Sequence, residues 1–405
     1  MNKNCRFCNK ELKTVFADLN MAPIVNNYIK RENFNKPEVT YPLITYVCDN
    51  CKLVQTLDFN PCEELFTEDY AYFSSFSTSW LEHCKNYVEM ITAKLELNQN
   101  SHVMEIASND GYLLQYFKEK NIPILGIEPC KSVADVAILK GISTLVDFFT
   151  LELAQKLPKS DLVLLNNVLA HVPDINNFVA GIKVALAPDG TVTAEFPHLL
   201  NTVKENQFDT IYHEHYSYLS LIFVVKLFEK YGMKIYDVEE LLTHGGSLRI
   251  YACHKDDNKK ISENVAKVLK DEKEFGLEKV ETYQKYSQQV KQTKRNFLEL
   301  LINLKNQNKS IVAYGAAAKG NTLFNYCGVS RDFIDYSVDL NPHKQNTYLP
   351  GSHIEVKSPD EIKKTKPDYI LITPWNIKDE VVKQLEYTKE WGCKFIVAIP
   401  EAKIL

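Results

Sequence analysis

Tyr212-His213-Glu214-His215, within the run Phe208-Asp209-Thr210-Ile211-Tyr212-His213-Glu214-His215-Tyr216, sets a phenol, two imidazoles and a carboxylate side by side. Each of these groups can take, give or stabilise a proton near neutral pH. The same residues also suit a polar loop whose histidines bond to backbone. Their place downstream of a cofactor-type βα segment and two paired-cysteine knuckles favours chemistry. Those knuckles are Cys5-x-x-Cys8 and Cys48-x-x-Cys51. A two-residue gap lets two thiolates of one turn reach a single ion, and two such pairs complete a closed tetrahedral zinc site. With all four ligands supplied by the chain, the zinc is expected to be structural, and the long stretch between the knuckles is expected to contribute strands of its own. Cys62, Cys84, Cys130, Cys253, Cys327 and Cys393 show no such spacing and read as apolar fillers.

The elements that must position these groups read as alternating strands and helices. After a helical stretch from Ser79 to Leu97, Val103-Met104-Glu105-Ile106 is a strand. It is followed by the polar turn Ala107-Ser108-Asn109-Asp110-Gly111 and an amphipathic helix through Lys118. A second strand, Pro123 to Ile127, ends in Glu128, where an acidic side chain can take both ribose hydroxyls of an adenosine lying over the first turn. Further strands at Leu162–Leu165, ending in Asn166-Asn167 with His171 close behind, and at Gly190–Phe196 predict a doubly wound parallel sheet with its ligand at the carboxyl ends of the strands. The segment from Ser262 to Asn306 carries helical periodicity without a strict heptad. A second βα module follows: strand Ser310–Tyr314, the turn Gly315-Ala-Ala-Ala-Lys319-Gly320-Asn321 into a helix, and strands at 335–338, 369–372 and 394–398. That turn lacks the Gly-Lys-Ser/Thr ending of an ATP-hydrolysing loop, yet a small-residue turn opening a helix can receive an anion, which makes Lys319, Asn321 and Lys344 candidates for a diphosphate; a purely structural turn is the alternative.

A dinucleotide pyrophosphate requires a G-x-G-x-x-G backbone, and only Gly111 is present in the first turn. The side chains Ser108, Asn109 and Asp110 suit a zwitterionic amino-acid tail better. Together with Glu105, Glu128, Asp147 and Phe148, and with the Asn167-to-Asp174 segment, they resemble the S-adenosylmethionine-binding segments of class I methyltransferases. That resemblance implies that Glu105, Ala107, Ser108, Asp110 and Gly111 surround the methionine end. It puts Glu128 on the ribose, Asp147 and Phe148 beside the adenine, and Asn167 in the same site. A Rossmann-like domain for another nucleotide is the competing reading.

Over nearly the whole chain, the order of motifs is similar to that of the sugar C-methyltransferases that methylate C-3 of nucleotide-linked 4-keto-deoxyhexoses. The carriers are the cysteine pairs, Tyr72-Phe73-Ser74-Ser75, Ser108–Gly111, Glu195-Phe196-Pro197, Asp209–His215, His244-Gly245-Gly246-Ser247-Leu248-Arg249 and Gly315–Asn321. The resemblance implies His215 as the base, Glu214 as a polarising or orienting group, and Tyr212 and His171 as donors to the ketone oxygen. Substrate contacts are implied for Tyr72, with neighbouring Tyr70 a competing match, and for Glu195, His198, Lys319, Asn321 and Lys344. The chemistry fits independently: methylating carbon requires removal of a proton beside a ketone while the enolate oxygen is stabilised.

The chain has 405 residues, 45% of them apolar and 24% charged, enough for two to four domains at roughly 150 residues each. The expected division is a zinc module at 1–70, a methyltransferase domain at 71–255, and a helical connection with a Rossmann-like nucleotide-sugar lobe at 256–405. A net charge of −5 without a basic block argues against nucleic-acid or membrane-surface partners. With no signal core or long apolar run, a cytoplasmic protein is expected; the resemblance implies a monomer acting on a nucleotide-linked keto sugar. O- or N-methylation of a nucleotide sugar, and a non-catalytic nucleotide-sugar-binding protein, are the alternatives.

Overall fold

The structure, a computed structural model, describes residues 3–59, 73–76 and 78–405. Each cysteine knuckle is a tight turn: Asn9 N–H donates to the Cys5 carbonyl and Lys52 N–H to that of Cys48, both at 2.8 to 2.9 Å. In both, the residue just past the second cysteine is left-handed, Asn9 at φ 59° and Lys52 at φ 68°, so the two turns close alike around a common point. The four sulfurs lie within 4.8 Å of one another, with Cys5–Cys51 and Cys8–Cys48 each at 3.5 Å. Thiolates at about 2.3 Å from a tetrahedral zinc stand roughly 3.8 Å apart, which this spacing approaches. Between the knuckles run the expected strands, Thr14–Ala22 and Tyr41–Val47, paired antiparallel; Val54–Thr56 extends the sheet and Ser217–Tyr218, from far down the chain, completes it.

The central sheet has seven strands in the order Met233–Leu241, Ser247–His254, Leu186–Pro197, Ser160–Asn166, Val103–Ile106, Ile124–Ile127, Thr144–Leu145. All four residues of Val103–Ile106 are buried, as a strand covered on both faces requires. The five strands from Val103 to Pro197 pair in parallel. The strands read from the sequence are parallel as expected; beyond them the sheet continues into an edge where Ser247–His254 runs antiparallel to both neighbours. Met233–Leu241 and Ser247–His254 are joined by only a few residues, and so short a connection can build a hairpin but not a parallel crossover. Chain order reverses on either side of Val103–Ile106, and the crevice at its carboxyl end opens over the turn Ala107–Gly111. Within that turn Ala107, Asn109 and Gly111 are left-handed, and a Cβ on Gly111 would stand 2.2 Å from Ile142 Cδ1.

The long helical stretch divides at Gly276 (φ 97°) into Glu263–Phe275 and Val280–Asn306. The second helix lays Tyr283, Tyr286, Val290 and Phe297 into one core with Phe16 and Leu19 of the N-terminal sheet; Phe16 stacks on Tyr286 at 4.4 Å between centroids. Beyond it, Ile311–Tyr314 centres a six-stranded sheet, parallel except for the terminal Lys403–Ile404. Ile29–Lys30 pairs with Thr347–Tyr348, so the N-terminal and C-terminal modules share a ladder as well as a core. Among the described residues no helix is long and apolar enough to cross a membrane.

Structural zinc in small peptides is worth roughly 10 to 16 kcal/mol, comparable to the whole stability of a domain. Chelation should therefore unfold the N-terminal sheet and, because Phe16 sits in the shared core, lower the Tm of the whole chain. Purified protein should contain one zinc per chain by metal analysis; well-folded protein with less than about a tenth of an equivalent would contradict this.

Candidate active site

A cavity of about 710 Å³ occupies the crevice, walled by all three parts of the chain: Asn26 from the N-terminal segment, the strand ends of the central sheet, and Ala317–Lys319, Lys344 and Asn376 from the C-terminal lobe. Of the residues expected around a cofactor, Ala107, Glu128, Asp147, Phe148 and Asn167 line it, and Asn109 joins them. Glu128 is buried and accepts from Asn109 N–H at 2.9 Å and Cys130 N–H at 2.8 Å. Burial raises its pKa above the ordinary carboxylate value. A carboxylate has about four acceptor positions, so capacity remains for a hydroxyl. Asp147 and Phe148 are exposed at the rim. Glu105, Ser108, Asp110 and Gly111 are not brought to the cavity wall; all are buried beneath the turn. Asp110 is bound there by Ser75 Oγ and by Lys140, whose Nζ donates to the Asp110 carbonyl at 2.9 Å. These residues lie in or beneath the turn rather than facing the opening.

All four residues expected to do the chemistry line the cavity. The segment carrying Tyr212, Glu214 and His215 is pinned at both ends: Asp209 accepts from Trp375 Nε1 at 2.7 Å, and Ser217–Tyr218 is tied into the N-terminal sheet. His215 donates Nδ1–H to the Thr210 carbonyl at 2.7 Å, which leaves Nε2 as the unprotonated ring nitrogen. Its ring lies 3.9 Å from that of Tyr212 and 4.7 Å from that of His171. Burial, and then the neighbouring His171, hold the His215 pKa well below its ordinary value; burial takes His171 down to about 4. Both imidazoles are thus neutral at physiological pH. Glu214 receives both hydrogen bonds of the Asn26 amide, at 2.8 and 2.9 Å, and burial pushes its carboxyl up to about 7. His213 turns the other way, towards the Pro42 carbonyl at 3.3 Å, and does not line the cavity.

Lys319 and Lys344 reach the cavity from the C-terminal lobe. Lys319 is half-buried, its pKa lowered by desolvation against the opposing influence of Asp209; its Nζ donates to the His244 carbonyl at 3.4 Å and lies 4.8 Å from the Trp375 ring. Three residues expected to touch substrate lie behind the wall. Glu195 is wholly buried, accepting from Arg249 at 2.8 Å and Thr243 at 2.7 Å. His198 donates to Glu272 at 2.7 Å, and that carboxylate also caps the backbone N–H groups of Leu221 and Ile222. Asn321 donates to the Val25 carbonyl at 3.0 Å, holding the turn that presents Asn26. In each case a polar side chain forced into the interior is consumed by an internal partner. Tyr72, with Tyr70 and Cys62, lies outside the described residues.

Residues missed by sequence reasoning are Asn26, Trp80 and above all His244. The hairpin between Met233–Leu241 and Ser247–His254 carries His244 into the cavity wall in a left-handed conformation, φ 54°, with Gly245 and Gly246 at φ 92° and 107° behind it. Asn167 Nδ2 donates to its Nε2 at 3.1 Å, and burial lowers its pKa to about 4. The His-Gly-Gly spacing was the available signal; without the hairpin it gave no direction for the ring.

Comparison with known proteins bears on this arrangement. Residues 5–66 match a family model described as "Putative zinc binding domain", residues 80–238 a "Methyltransferase domain", and residues 242–400 a "C-methyltransferase C-terminal domain". The curated protein C-methyltransferase NovU of Streptomyces niveus is 31% identical over 405 residues, covering 99% of this chain and 96% of its own. The chain belongs to the C-methyltransferase family. Solved structures similar to the chain include magnesium protoporphyrin IX methyltransferase (ChlM) from Synechocystis PCC 6803 with bound SAH. It is 15% identical with a TM-score of 0.35 and covers 43% of this chain and 82% of its own. Another is the PH0226 protein from Pyrococcus horikoshii OT3, 12% identical with a TM-score of 0.38, covering 46% and 95%. This C-methyltransferase has the class I fold, uses S-adenosylmethionine and carries a zinc-binding module. The residues present fit both groups: a four-sulfur cluster for the metal, and for the cofactor a cavity that runs over a left-handed turn to an acidic strand end.

The buried Glu214 makes a pH-dependent prediction. Its proton is held more tightly in the folded enzyme, up to about 7, than at the ordinary value of 4.5, so stability falls as pH rises between those values and levels off above them. The full effect is on the order of 3 kcal/mol. Glu214→Gln keeps an acceptor for Asn26 and lacks the titration. Its Tm relative to wild type should climb from about pH 5 to about pH 8, where a pH-independent difference would contradict the assignment.

Proposed function

We propose that this C-methyltransferase transfers the methyl group of S-adenosylmethionine to C-3 of a nucleotide-linked 4-keto-deoxysugar, through an enolate generated by His215. The observation that carries this reading is the hydrogen bond from His215 Nδ1–H to the Thr210 carbonyl at 2.7 Å, in a cavity shared with His171 and Tyr212. O- or N-methylation requires no carbon acid, whereas a half-buried, tautomer-locked imidazole is suited to removing a proton from carbon. The proton on C-3 goes to Nε2 and the electron pair of the broken C–H bond to the ketone oxygen. Tyr212 and His171 donate towards that oxygen, where negative charge develops in a water-poor site. Glu214, steadied by Asn26, orients the reacting ring. S-adenosylmethionine supplies an electrophilic methyl group to the resulting nucleophilic carbon.

Glu128 holds the ribose hydroxyls of the cofactor, with Asp147 and Phe148 at the adenine and Ala107, Asn109 and Asn167 at the methionine end. Lys319 and Lys344, on the opposite wall, take the diphosphate of the nucleotide sugar, and Tyr72 meets the sugar or its phosphates. Segments 1–70, 71–255 and 256–405 divide the work into metal staple, methyl-donor domain and nucleotide-sugar lobe.

Proton removal and methyl transfer are separable steps. Wild-type enzyme given a 4-keto-deoxysugar nucleotide in heavy water, with S-adenosylhomocysteine in place of the methyl donor, should exchange deuterium into C-3. His215→Ala should lose exchange and methyl transfer together while still binding both ligands by calorimetry, a deficit on the order of 10²- to 10⁴-fold. Methyl transfer at the wild-type rate in His215→Ala would overturn the reading.

A further inference from the structure

Arg6 lies inside the first cysteine knuckle, between Cys5 and Cys8, far in sequence from His171 and His215. Its side chain is only 7% exposed and its contacts converge on the two histidines. Nη1 donates to the Pro173 carbonyl at 2.7 Å, two residues beyond His171. Nη2 donates to the Thr56 carbonyl at 2.7 Å and to Asp58 Oδ1 at 2.7 Å, and the guanidinium lies 5.1 Å from the centre of the Tyr216 ring, next to His215. Thr56 in turn donates Oγ1–H to the His215 carbonyl at 3.0 Å and N–H to the Tyr216 carbonyl at 3.1 Å. Tyr216 N–H donates to the Ala170 carbonyl at 2.8 Å, which closes the circuit beside His171. At the other end the guanidinium is aimed by the knuckle: Arg6 N–H donates to Gln55 Oε1 at 2.9 Å, and Gln55 Nε2 donates to Cys5 Sγ at 3.2 Å.

We infer that Arg6 is a positioning residue for C-methylation, the fork by which the four-cysteine knuckle sets His171 and His215 against one another. The inference rests on the assignment of these two histidines to the chemistry. A point charge on a flexible stem cannot reproduce it, because a planar guanidinium holds two carbonyls in one fixed geometry and lysine does not. The rings stand 4.7 Å apart, and a misplacement of about 1 Å at a reacting group can cost on the order of 100-fold in rate. Arg6 also lines a second cavity of about 380 Å³, with Asp58 and Asn176, through which a small cation can reach its position.

The test uses the full chain, with S-adenosylmethionine and a thymidine-diphosphate-linked 4-keto-6-deoxyhexose as probe. Arg6→Lys and Thr56→Val should each retain one zinc by metal analysis and wild-type affinity for S-adenosylhomocysteine by calorimetry. Both should lose roughly 10- to 100-fold in kcat with KM little changed. In both, the ring C–H signals of His171 and His215, assigned with His171→Gln and His215→Ala, should shift while those of His254 and His353 stay in place. Free guanidinium should restore part of the activity of Arg6→Ala. Wild-type kcat and unshifted His171 and His215 signals in Arg6→Lys and Thr56→Val at full zinc occupancy would overturn the inference, and so would a loss confined to S-adenosylhomocysteine affinity. If Arg6→Ala fails to fold, the other two variants decide. If His215→Ala proves fully active, the proposed base is wrong, and the ring signals of Arg6→Lys still decide whether Arg6 sets the two histidines.

Discussion

Two imidazoles held neutral and close together on one cavity wall are the arrangement on which the rest of this molecule depends. A histidine in water near neutral pH is partly protonated and therefore a divided base; burial removes the charged form. His171 and His215 reinforce one another, since a proton on either disfavours a proton on its neighbour, and Lys319 adds to the same bias from across the cavity. The single hydrogen bond from His215 to the Thr210 carbonyl then decides which nitrogen carries the remaining proton.

No one part of the chain could enclose that pair. The class I sheet supplies the strand ends and the turn that form one wall of the cavity. The N-terminal segment closes part of it by presenting Asn26 to Glu214, and the C-terminal lobe closes the remainder with Ala317–Lys319, Lys344 and Asn376. Three shared structures hold these walls in place: the strand Ser217–Tyr218 in the N-terminal sheet, the Ile29–Lys30 ladder with Thr347–Tyr348, and the common core around Phe16 and Tyr286. Each joins segments distant in sequence, so the order of the site depends on long-range contacts rather than on local helix or strand preference.

The hairpin turn at Thr243–Gly246 shows how closely the walls approach. A Cβ on Gly245 would stand 2.6 Å from Trp375 of the C-terminal lobe, and one on Gly246 2.2 Å from Asn201, so both positions require glycine for space as well as for their positive φ. Behind the turn the buried Glu195 and Arg249 are paired, and Thr243 is tied to the same carboxylate, so that the loop delivering His244 is anchored by a charged network that leaves neither group alone in the interior.

By itself the sequence determined the local matters. Two C-x-x-C turns, the parallel strands from Val103 to Phe196, the polar turn before Gly111, the acidic end of the second strand and the Tyr-His-Glu-His run were legible because each is written in neighbouring residues. The antiparallel edge of the central sheet was not, since the burial pattern of a strand does not state the direction of its partner. Nor was the fate of individual polar residues. Glu195, His198 and Asn321 read as ligand contacts, yet Arg249, Glu272 and Val25 claim them inside the protein, while His244 and Asn26 reach the cavity from loops whose own sequence gives no direction. Only the tertiary structure decided which polar groups were left to face the cavity, because a buried donor or acceptor takes whichever partner folding brings within reach, and that partner stands far away in the chain.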